Sequence, residues 1–192
     1  KFAAAVVKGI KKSGADATVK HFACNNQELG RSVADSVVSE RAVRELYLKG
    51  FEIAVKEGNA CSIMTSYNPL NGHWSASNYD LCTTILREEW GYTGIVMTDW
   101  WAKMNDPISG GEAKMTNTAA MVRAQNDLYM VVTNGGSEEN EYGDNTLEAL
   151  EEGRLTIGEL QRCAMNICRF ILHTPAAKRR LKTLEEMETE QG

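Results

Sequence analysis

Hydrophobic and polar residues along this chain alternate between two kinds of pattern. Segments whose apolar residues recur every three or four positions, as in amphipathic helices, alternate with short apolar runs rich in β-branched residues, as in buried strands. The predicted pairs are helix 2–12 with strand 17–22, helix 39–57 with strand 60–67, helix 79–89 with strand 94–99, and helix 116–124 with strand 127–132. This pattern predicts an α/β fold in which about four parallel strands are joined by flanking helices.

Two more helices are predicted near 145–152 and at 157–173. Thr156 and Glu159 form a candidate capping box for the second of them. That helix carries an apolar stripe, which we interpret as core. The stripe consists of Leu160, Ala164, Ile167, Phe170 and Ile171. Beyond residue 173 the chain becomes rich in Lys, Arg and Glu, and we predict that 174–192 is a charged tail or linker.

The most informative strand end is the one that carries Asp99. The apolar run that begins at Gly94 ends in Thr98 and Asp99, and two tryptophans follow directly. In a parallel α/β fold, polar groups at the carboxyl ends of strands face the crevice where ligands bind. Asp99 is therefore a candidate nucleophile. The alternative is that Asp99 caps the next helix, which is a common role for Asp.

Two other predicted strands end in polar clusters of the same kind. Lys20 and His21 close the first strand, with Arg31 in the loop beyond it, and Met64 and Tyr67 close the second strand. Because the carboxyl ends of parallel strands lie at the same edge of the sheet, we expect these clusters to converge with the strand end at 94–99.

Four sequence blocks resemble those of a known enzyme family. The blocks are KHFACNNQELGR at 20–31, SERAVRELYLKGFEIAVK at 39–56, MTSYNPLNG at 64–72 and LREEWGYTGIVMTDWW at 86–101. In the same order, they resemble blocks of glycoside hydrolase family 3, in particular its β-glucosidase and β-xylosidase members. Four ordered blocks are far more specific than one short motif. With weaker similarity included, the resemblance covers residues 1–173.

The resemblance implies that residues 1–173 form the second half of a TIM-type (β/α)8 barrel domain. It implies a retaining glycosidase of the β-glucosidase type, acting on a carbohydrate substrate, with Asp99 as the nucleophile. It also implies a set of substrate-binding residues. Lys20, His21 and Arg31 would bind the sugar in the subsite of cleavage, Met64 and Tyr67 would line that subsite, and Trp100 would pack against the next sugar or aglycone.

Each substrate-binding candidate also has a structural interpretation. The alternatives are Lys20 as a solvated lysine, His21 as a hydrogen-bonded core histidine, Arg31 as an ion-pair partner of Glu28 or Asp35, Met64 and Tyr67 as core, and Trp100 as a packing residue.

Two local features concern the surroundings of the site. Thr98 stands where the resembled family often has Ser, which keeps a hydroxyl, and 103–118 is predicted to be a long loop on the aglycone side.

A retaining glycosidase needs a second carboxyl group, about 5 to 5.5 Å from the nucleophile, to protonate the leaving oxygen. In the glucosidase branch of the family this group is a Glu from a separate α/β sandwich domain, and no segment of this chain resembles that domain. Members that use a histidine instead have a glycine-rich motif where this chain has Cys24–Glu28. The expected partners are therefore the remainder of the barrel and a sandwich domain that supplies the acid/base Glu. No metal or cofactor is implied.

The length and composition of the chain argue against several other classes of protein. The chain has 192 residues and starts at Lys1, and it is short for an eight-stranded barrel of about 250 residues, so we interpret it as a fragment. A net charge of −5 without a basic stripe argues against nucleic-acid binding, and no apolar run is long enough to span a membrane. The five cysteines lack metal-binding spacing and favour a cytoplasmic location over an extracellular or periplasmic one.

A second hypothesis is a catalytically silent half-barrel that binds carbohydrate or self-associates. An open parallel sheet has two unpaired edges and an apolar face that the other half of a barrel would cover. We therefore expect the isolated fragment to self-associate or to depend on the missing half. Only the first hypothesis requires that the strand-end carboxylate react with a glycoside.

Overall fold

The computed structural model describes residues 1–130 and 139–189, with side chains up to residue 183. Its strands are β1 Thr18–Phe22, β2 Ser62–Thr65, β3 Pro69–Leu70, β4 His73–Trp74, β5 Ile95–Trp100, β6 Met104–Asp106, β7 Gly110–Lys114 and β8 Leu128–Met130. One parallel sheet has the order β1-β2-β5-β8, and β3-β4 and β6-β7 are antiparallel hairpins outside it. The predicted parallel strands are confirmed. The predicted end of the last one, beyond Met130, lies outside the described residues.

The helices alternate with the parallel strands as predicted. They are α1 Phe2–Lys12, α2 Glu40–Ala42, α3 Lys49–Lys56, α4 Thr118–Arg123, α5 Thr146–Glu151, α6 Ile157–His173 and α7 Pro175–Thr189. The π-helical turn Val43–Tyr47 joins α2 to α3, and the π-helical segment Asp80–Glu89 precedes β5. Two predicted helices are thus wound partly more loosely than an α-helix. Within 1–130 and 139–189, no helix is long and apolar enough to cross a membrane.

One face of the parallel sheet packs against helices. Val19, Ile63 and Val96 lie side by side on β1, β2 and β5 and join a core with residues of α3 and the π-helical segment. Side chains alternate along a strand, so Thr18 and Ser62, whose hydroxyls lie 2.8 Å apart, point to the opposite face. This second face corresponds to the interior of the predicted barrel.

Two glycines allow close approach between neighbouring elements. A Cβ at Gly58, just after α3, would lie 2.4 Å from the Ala54 carbonyl oxygen and 3.0 Å from the Ala4 Cα of α1. A Cβ at Gly94, just before β5, would lie 2.3 Å from the Cys61 carbonyl oxygen. Neither position has room for a side chain, because a close-packed interior cannot absorb such overlaps.

The start of α6 agrees with the sequence analysis. The Thr156 hydroxyl accepts a hydrogen bond from the Glu159 amide at 3.3 Å, and the Glu159 carboxylate accepts one from the Thr156 amide at 2.8 Å. The predicted capping box is therefore confirmed.

The predicted core stripe of α6 is only partly correct. Its members divide into half-buried Leu160, Ile167 and Phe170 and exposed Ala164 and Ile171. The buried residues of this helix are Cys163 and Asn166. The physical reason is a polar contact. The Asn166 side chain donates a 2.8 Å hydrogen bond to the buried carboxylate of Asp127. That bond turns a different face of the helix toward the sheet.

The stretch 103–118, predicted to be a long loop, contains the β6-β7 hairpin. Asn105, which is fully buried, joins this hairpin to the β3-β4 hairpin. Its Oδ1 accepts from the Trp74 amide at 3.0 Å, and its Nδ2 donates to the Gly72 carbonyl at 2.9 Å. The hairpin escaped prediction because β7 is mostly exposed and begins with two glycines, so it has no apolar alternation.

A buried ion pair joins the π-helical segment to the sheet. Arg87 Nη2 lies 2.6 Å from Asp127 Oδ2, and the two side chains are 8% and 0% exposed. The same carboxylate oxygen accepts from the Val96 amide at 2.9 Å, and Arg87 also donates to the Gln125 carbonyl at 2.9 Å. Burial raises the pKa of the Asp127 carboxyl, against the opposing effect of Arg87. Removing either charge would leave the other buried without its partner.

We predict that Arg87→Met lowers the free energy of unfolding of the chain by about 3–5 kcal/mol, because a buried carboxylate loses its cation. Urea unfolding at pH 7 measures this. Asp127 should then take up a proton more readily, so the loss should shrink as the pH falls. The control is Arg154→Met, which removes exposed ion pairs with Glu148 and Glu152 and should cost at most about 1 kcal/mol. Equal losses in both variants would contradict the prediction.

Candidate active site

β1 is irregular where it carries the predicted basic pair. Val19 pairs with Ile63 and Phe22 pairs with Thr65, so β1 advances three residues while β2 advances two. Such a bulge leaves one residue unpaired and re-aims neighbouring side chains. The bulge in β1 lies at Lys20–His21.

β5 has a bulge of the same kind at the predicted nucleophile. Met97 pairs with Leu128 and Trp100 pairs with Met130, so β5 advances three residues while β8 advances two. The segment between these pairs contains Asp99. Bulges occur preferentially beside active sites, and here both fall at carboxyl ends of the parallel strands.

The Asp99 side chain lies at the centre of the convergent strand ends and is 8% exposed as a residue. Its Oδ2 lies 3.4 Å from His21 Nε2, and its Oδ1 accepts from the Trp100 amide at 2.8 Å. The Tyr67 hydroxyl is close enough for the charge of this carboxylate to raise its pKa. Asp99 is part of β5, and the next helix has Asn117 at its N-cap. The helix-cap interpretation of Asp99 is therefore wrong.

The groups around Asp99 have shifted pKa values. Burial lowers the pKa of His21 from its ordinary 6.5; the Asp99 carboxylate opposes this effect, and Lys20 and Arg31 add to it. The imidazole is therefore neutral at pH 7. Burial, followed by the charge of Asp99, raises the pKa of Tyr67 above its ordinary 10.0. The phenol keeps its proton and remains a hydrogen-bond donor.

Arg31 and Lys20 supply positive charge at the same edge. The Arg31 guanidinium lies 4.8 Å from the centroid of the Tyr67 ring, within the range of a cation–π contact. It also forms an ion pair with Glu28 at 3.0 Å, as one structural interpretation expected. Lys20 is exposed in β1. The structure thus places Arg31 beside Tyr67 while leaving the Lys20 side chain accessible.

Met64 and Trp100 occupy different depths of the site. Met64 is buried in β2 and pairs with Met97 of β5. Trp100, at the end of β5, is 38% exposed and offers indole surface to a ligand. Trp101 has a φ of 53°, in the left-handed region, and its amide donates to the Met130 carbonyl at 2.7 Å. Trp101 therefore turns the chain at the edge of the site.

Two residues near the site were not among the predicted site residues. The Thr98 hydroxyl accepts from the Met130 amide at 2.9 Å and so holds β8 beside the β5 bulge. Tyr129 lies close to Tyr67, and burial, with a contribution from Tyr67, raises its pKa to about 12. The sequence contains a signal for the contact between Thr98 and Met130, because Thr98 has a hydroxyl where the resembled family often has Ser. No local sequence signal identifies Tyr129 as a site residue, because the sequence of its strand shows only an apolar run.

Comparison with known proteins agrees with this arrangement. Residues 1–170 match the Glycosyl hydrolase family 3 N terminal domain. The chain belongs to glycoside hydrolase family 3. A beta-glucosidase from Ruminococcus albus is 52% identical over 186 residues, which are 97% of this chain and 19% of that protein.

Two solved structures of β-glucosidases resemble this family 3 chain. The structure of a β-glucosidase from Paenibacillus barengoltzii matches with a TM-score of 0.90 and 74% identity, over 91% of this chain and 19% of that one. β-Glucosidase 3B from Thermotoga neapolitana, in complex with glucose, matches with a TM-score of 0.76 and 41% identity, over 92% of this chain and 23% of that one. The predicted family and partial TIM-type barrel are confirmed. The chain spans about a fifth of the length of these relatives.

We predict that Asp99→Asn lowers the pKa of His21 further, because this carboxylate has the larger of the two effects that oppose burial. Lys20→Gln should raise it. Titration of the chain by ¹H–¹³C NMR measures both, since the chain has only three histidines. Protonation of His21 opposes folding, so its contribution to stability is lost as the pH falls from 6.5 through the lowered pKa.

The control for this titration is Asp80→Asn, which removes an exposed carboxylate that does not act on His21 and should leave the His21 midpoint unchanged. A His21 midpoint that rises, or does not move, in Asp99→Asn would contradict the observed proximity of the two side chains.

Proposed function

We propose that this chain carries the nucleophile and much of the sugar-binding surface of a retaining β-glycosidase of the β-glucosidase type. The substrates are oligosaccharides or glycosides with a terminal β-linked sugar. The observation that carries the proposal is the Asp99 carboxylate, 3.4 Å from His21 Nε2 at the convergent ends of the parallel strands. The β-glucosidase relatives of the chain support the same activity.

In the first step, a carboxylate oxygen of Asp99 attacks C1 of the sugar while the bond from C1 to the leaving oxygen breaks. A carboxylic acid from outside this chain donates its proton to that oxygen. In the second step, the same group removes a proton from water, which attacks C1 and releases both the sugar and Asp99. Retention follows because C1 is attacked twice from opposite faces.

The surrounding side chains have distinct roles in this mechanism. The Trp100 amide donates to Asp99, and the nearby Tyr67 hydroxyl also stabilises its negative charge. His21, which is neutral, and the cations Lys20 and Arg31 are donors for sugar hydroxyls. Met64 lines the floor of the sugar subsite. Trp100 packs on the next sugar or aglycone through its exposed indole face.

The acid/base Glu comes from a partner domain in this proposal. Glu89, the nearest glutamate before β5 in sequence, is ion-paired with Arg44 on the helix surface and is occupied there. The remainder of the barrel would pair with the outer strands β1 and β8, and a sandwich domain would bring the acid/base Glu above Asp99. The relatives, of which this chain spans about a fifth, have the length for both parts.

We also propose a cytoplasmic location. All five cysteines are free, and Cys24, Cys82 and Cys163 are buried. Burial raises the pKa of the Cys82 and Cys163 thiols to about 12, so they are unreactive core residues. Proteins of oxidising compartments rarely keep so many free thiols. Recovery of the protein from the periplasmic or culture fraction would contradict this.

The test of the nucleophile uses a chimera in which residues 1–170 replace the matching segment of the P. barengoltzii β-glucosidase. We expect this chimera to hydrolyse an aryl β-glucoside. Asp99→Ala should lower kcat by at least about 10³-fold, because it removes the carboxylate that forms the covalent intermediate in this proposal. A 2-deoxy-2-fluoro glucoside should label the peptide that contains Asp99, as peptide mass spectrometry can determine. Azide should restore turnover of the Ala variant and yield the α-glycosyl azide.

The matched control is Asp80→Ala, which removes an exposed carboxylate at the start of the π-helical segment and should leave the rate unchanged. An active chimera that keeps substantial turnover after Asp99→Ala would show that another carboxylate is the nucleophile. A chimera that binds glucoside without any turnover or label would favour the silent carbohydrate-binding alternative.

A second prediction concerns self-association of the isolated chain. Leu128 on β8 is 37% exposed and lies on the barrel-interior face, opposite Met97 in the sheet. We expect the chain to elute with a mass above 21.2 kDa in size-exclusion chromatography with light scattering. Leu128→Lys should shift it toward the monomer, because an edge lysine blocks strand pairing. Leu147→Lys, at an equally apolar but distant exposed site on α5, is the control. A stable monomer for the unmodified chain would contradict the prediction.

A further inference from the structure

The Ala23 carbonyl is an unusual point of attachment between two parts of the site. Ala23 directly follows β1 and is completely buried. Its carbonyl oxygen accepts two hydrogen bonds, from the Ser66 hydroxyl at 2.8 Å and from Asn68 Nδ2 at 3.2 Å. Ser66 and Asn68 are 1% and 2% exposed. They flank Tyr67, whose pKa is raised in part by the charge of Asp99.

The orientation of the Asn68 amide is determined by its surroundings. Its Nδ2 donates to two carbonyls, those of Ala23 at 3.2 Å and Pro69 at 3.0 Å. A flipped amide would bring its oxygen against both carbonyl oxygens. Its Oδ1 is buried and has no partner among the described residues. Asn68 borders a cavity of about 170 Å³ that Asn25 and Arg31 also line.

A second serine supports this arrangement. The Ser75 hydroxyl lies 2.9 Å from the Ser66 hydroxyl, and the Ser75 amide donates to the Asn68 carbonyl at 3.2 Å. Ser75 is fully buried. The donors to Ala23 are therefore held in place themselves by a further buried serine.

The chain around Ala23 carries three of the site residues. Lys20 and His21 precede it by three and two residues, and Arg31 follows it by eight. The next residue, Cys24, has a φ of 63°, a left-handed conformation that a non-glycine residue keeps only when its surroundings enforce it. Movement of the Ala23 carbonyl would therefore displace the basic groups on both sides.

We propose that Ser66 and Asn68 are positioning residues, which together hold the Ala23 carbonyl and thereby fix His21 and Arg31 relative to Tyr67 and Asp99. This inference rests on the proposed glycosidase function. It assigns a role to the two buried polar neighbours of Tyr67.

The proposal predicts that the two donors substitute for each other. A carbonyl that loses one donor still has the other, whereas a buried carbonyl that loses both is left unsatisfied. In the active chimera, Ser66→Ala and Asn68→Leu should each lower kcat/KM by less than about 3-fold, and the double variant by more than about 30-fold, since buried polar groups are costly only when wholly unpaired. Steady-state kinetics well below the unfolding temperature measures this.

The control is Thr83→Val, which removes an equally buried hydroxyl donor, bonded to the Ala124 carbonyl at 3.0 Å, from a place remote from Asp99. It should lower stability but leave kcat/KM unchanged. A double variant that loses only stability, with kcat/KM of the folded enzyme equal to that of the control, would overturn the proposal. If the double variant does not fold, Asn68→Asp takes its place: it keeps the size of the side chain but places a carboxylate oxygen against the Ala23 carbonyl oxygen. Because this repels the carbonyl rather than only removing one of its two donors, Asn68→Asp should lower kcat/KM by more than Asn68→Leu does.

A second readout does not depend on catalysis. In the 192-residue chain, the double variant should release the end of β1 and expose His21, so that its NMR titration midpoint rises toward 6.5. Thr83→Val should leave that midpoint unchanged. If the parent chimera has no turnover, the proposed function fails while this titration still decides the inference. An unmoved His21 midpoint in the double variant would overturn it.

Discussion

The parallel pairing of four strands is the constraint on which the rest of this structure depends. Because β1, β2, β5 and β8 run in one direction, their carboxyl ends meet at one edge, and side chains far apart in sequence come into contact there. Asp99 lies 3.4 Å from His21 for this reason. At the amino-terminal end of the strands, the pairing needs close approach at Gly94 and is secured by the buried pair of Arg87 and Asp127, whose guanidinium also donates to the Gly94 carbonyl at 3.2 Å. The functional edge is thus supported from the opposite end of the sheet.

Regular pairing alone would not form the site. In a regular strand, adjacent side chains point to opposite faces, so Lys20 and His21 could not both approach one ligand. The bulges in β1 and β5 break this alternation where the chemistry requires it. They concentrate local irregularity at the functional edge, while the helix-covered face keeps a conventional apolar core of residues such as Ile63 and Val96. Irregular backbone beside regular packing is typical of enzyme sites.

The charge arrangement is compatible with the role proposed for the buried carboxylate of Asp99. Burial keeps His21 uncharged and Tyr67 protonated. Both side chains can therefore donate hydrogen bonds, and neither places a positive charge beside the Asp99 carboxylate. The full positive charges, on Lys20 and Arg31, are on exposed side chains. The site lies beside the open edges of the sheet, where the remainder of a family 3 barrel would pack.

The sequence by itself determined the fold class, the order of helices and strands, the family and the candidate residues around Asp99. Those features are local: apolar periodicity, capping residues such as Thr156, and contiguous motifs. Tertiary structure decided what depends on contacts between distant segments. The bulges arise from the register between two strands, the face of α6 is set by Asn166 meeting buried Asp127, and the β6-β7 hairpin is held by Asn105 rather than by its own pattern. None of these leaves a periodic signal in one segment, because each is a hydrogen-bonding requirement shared between two.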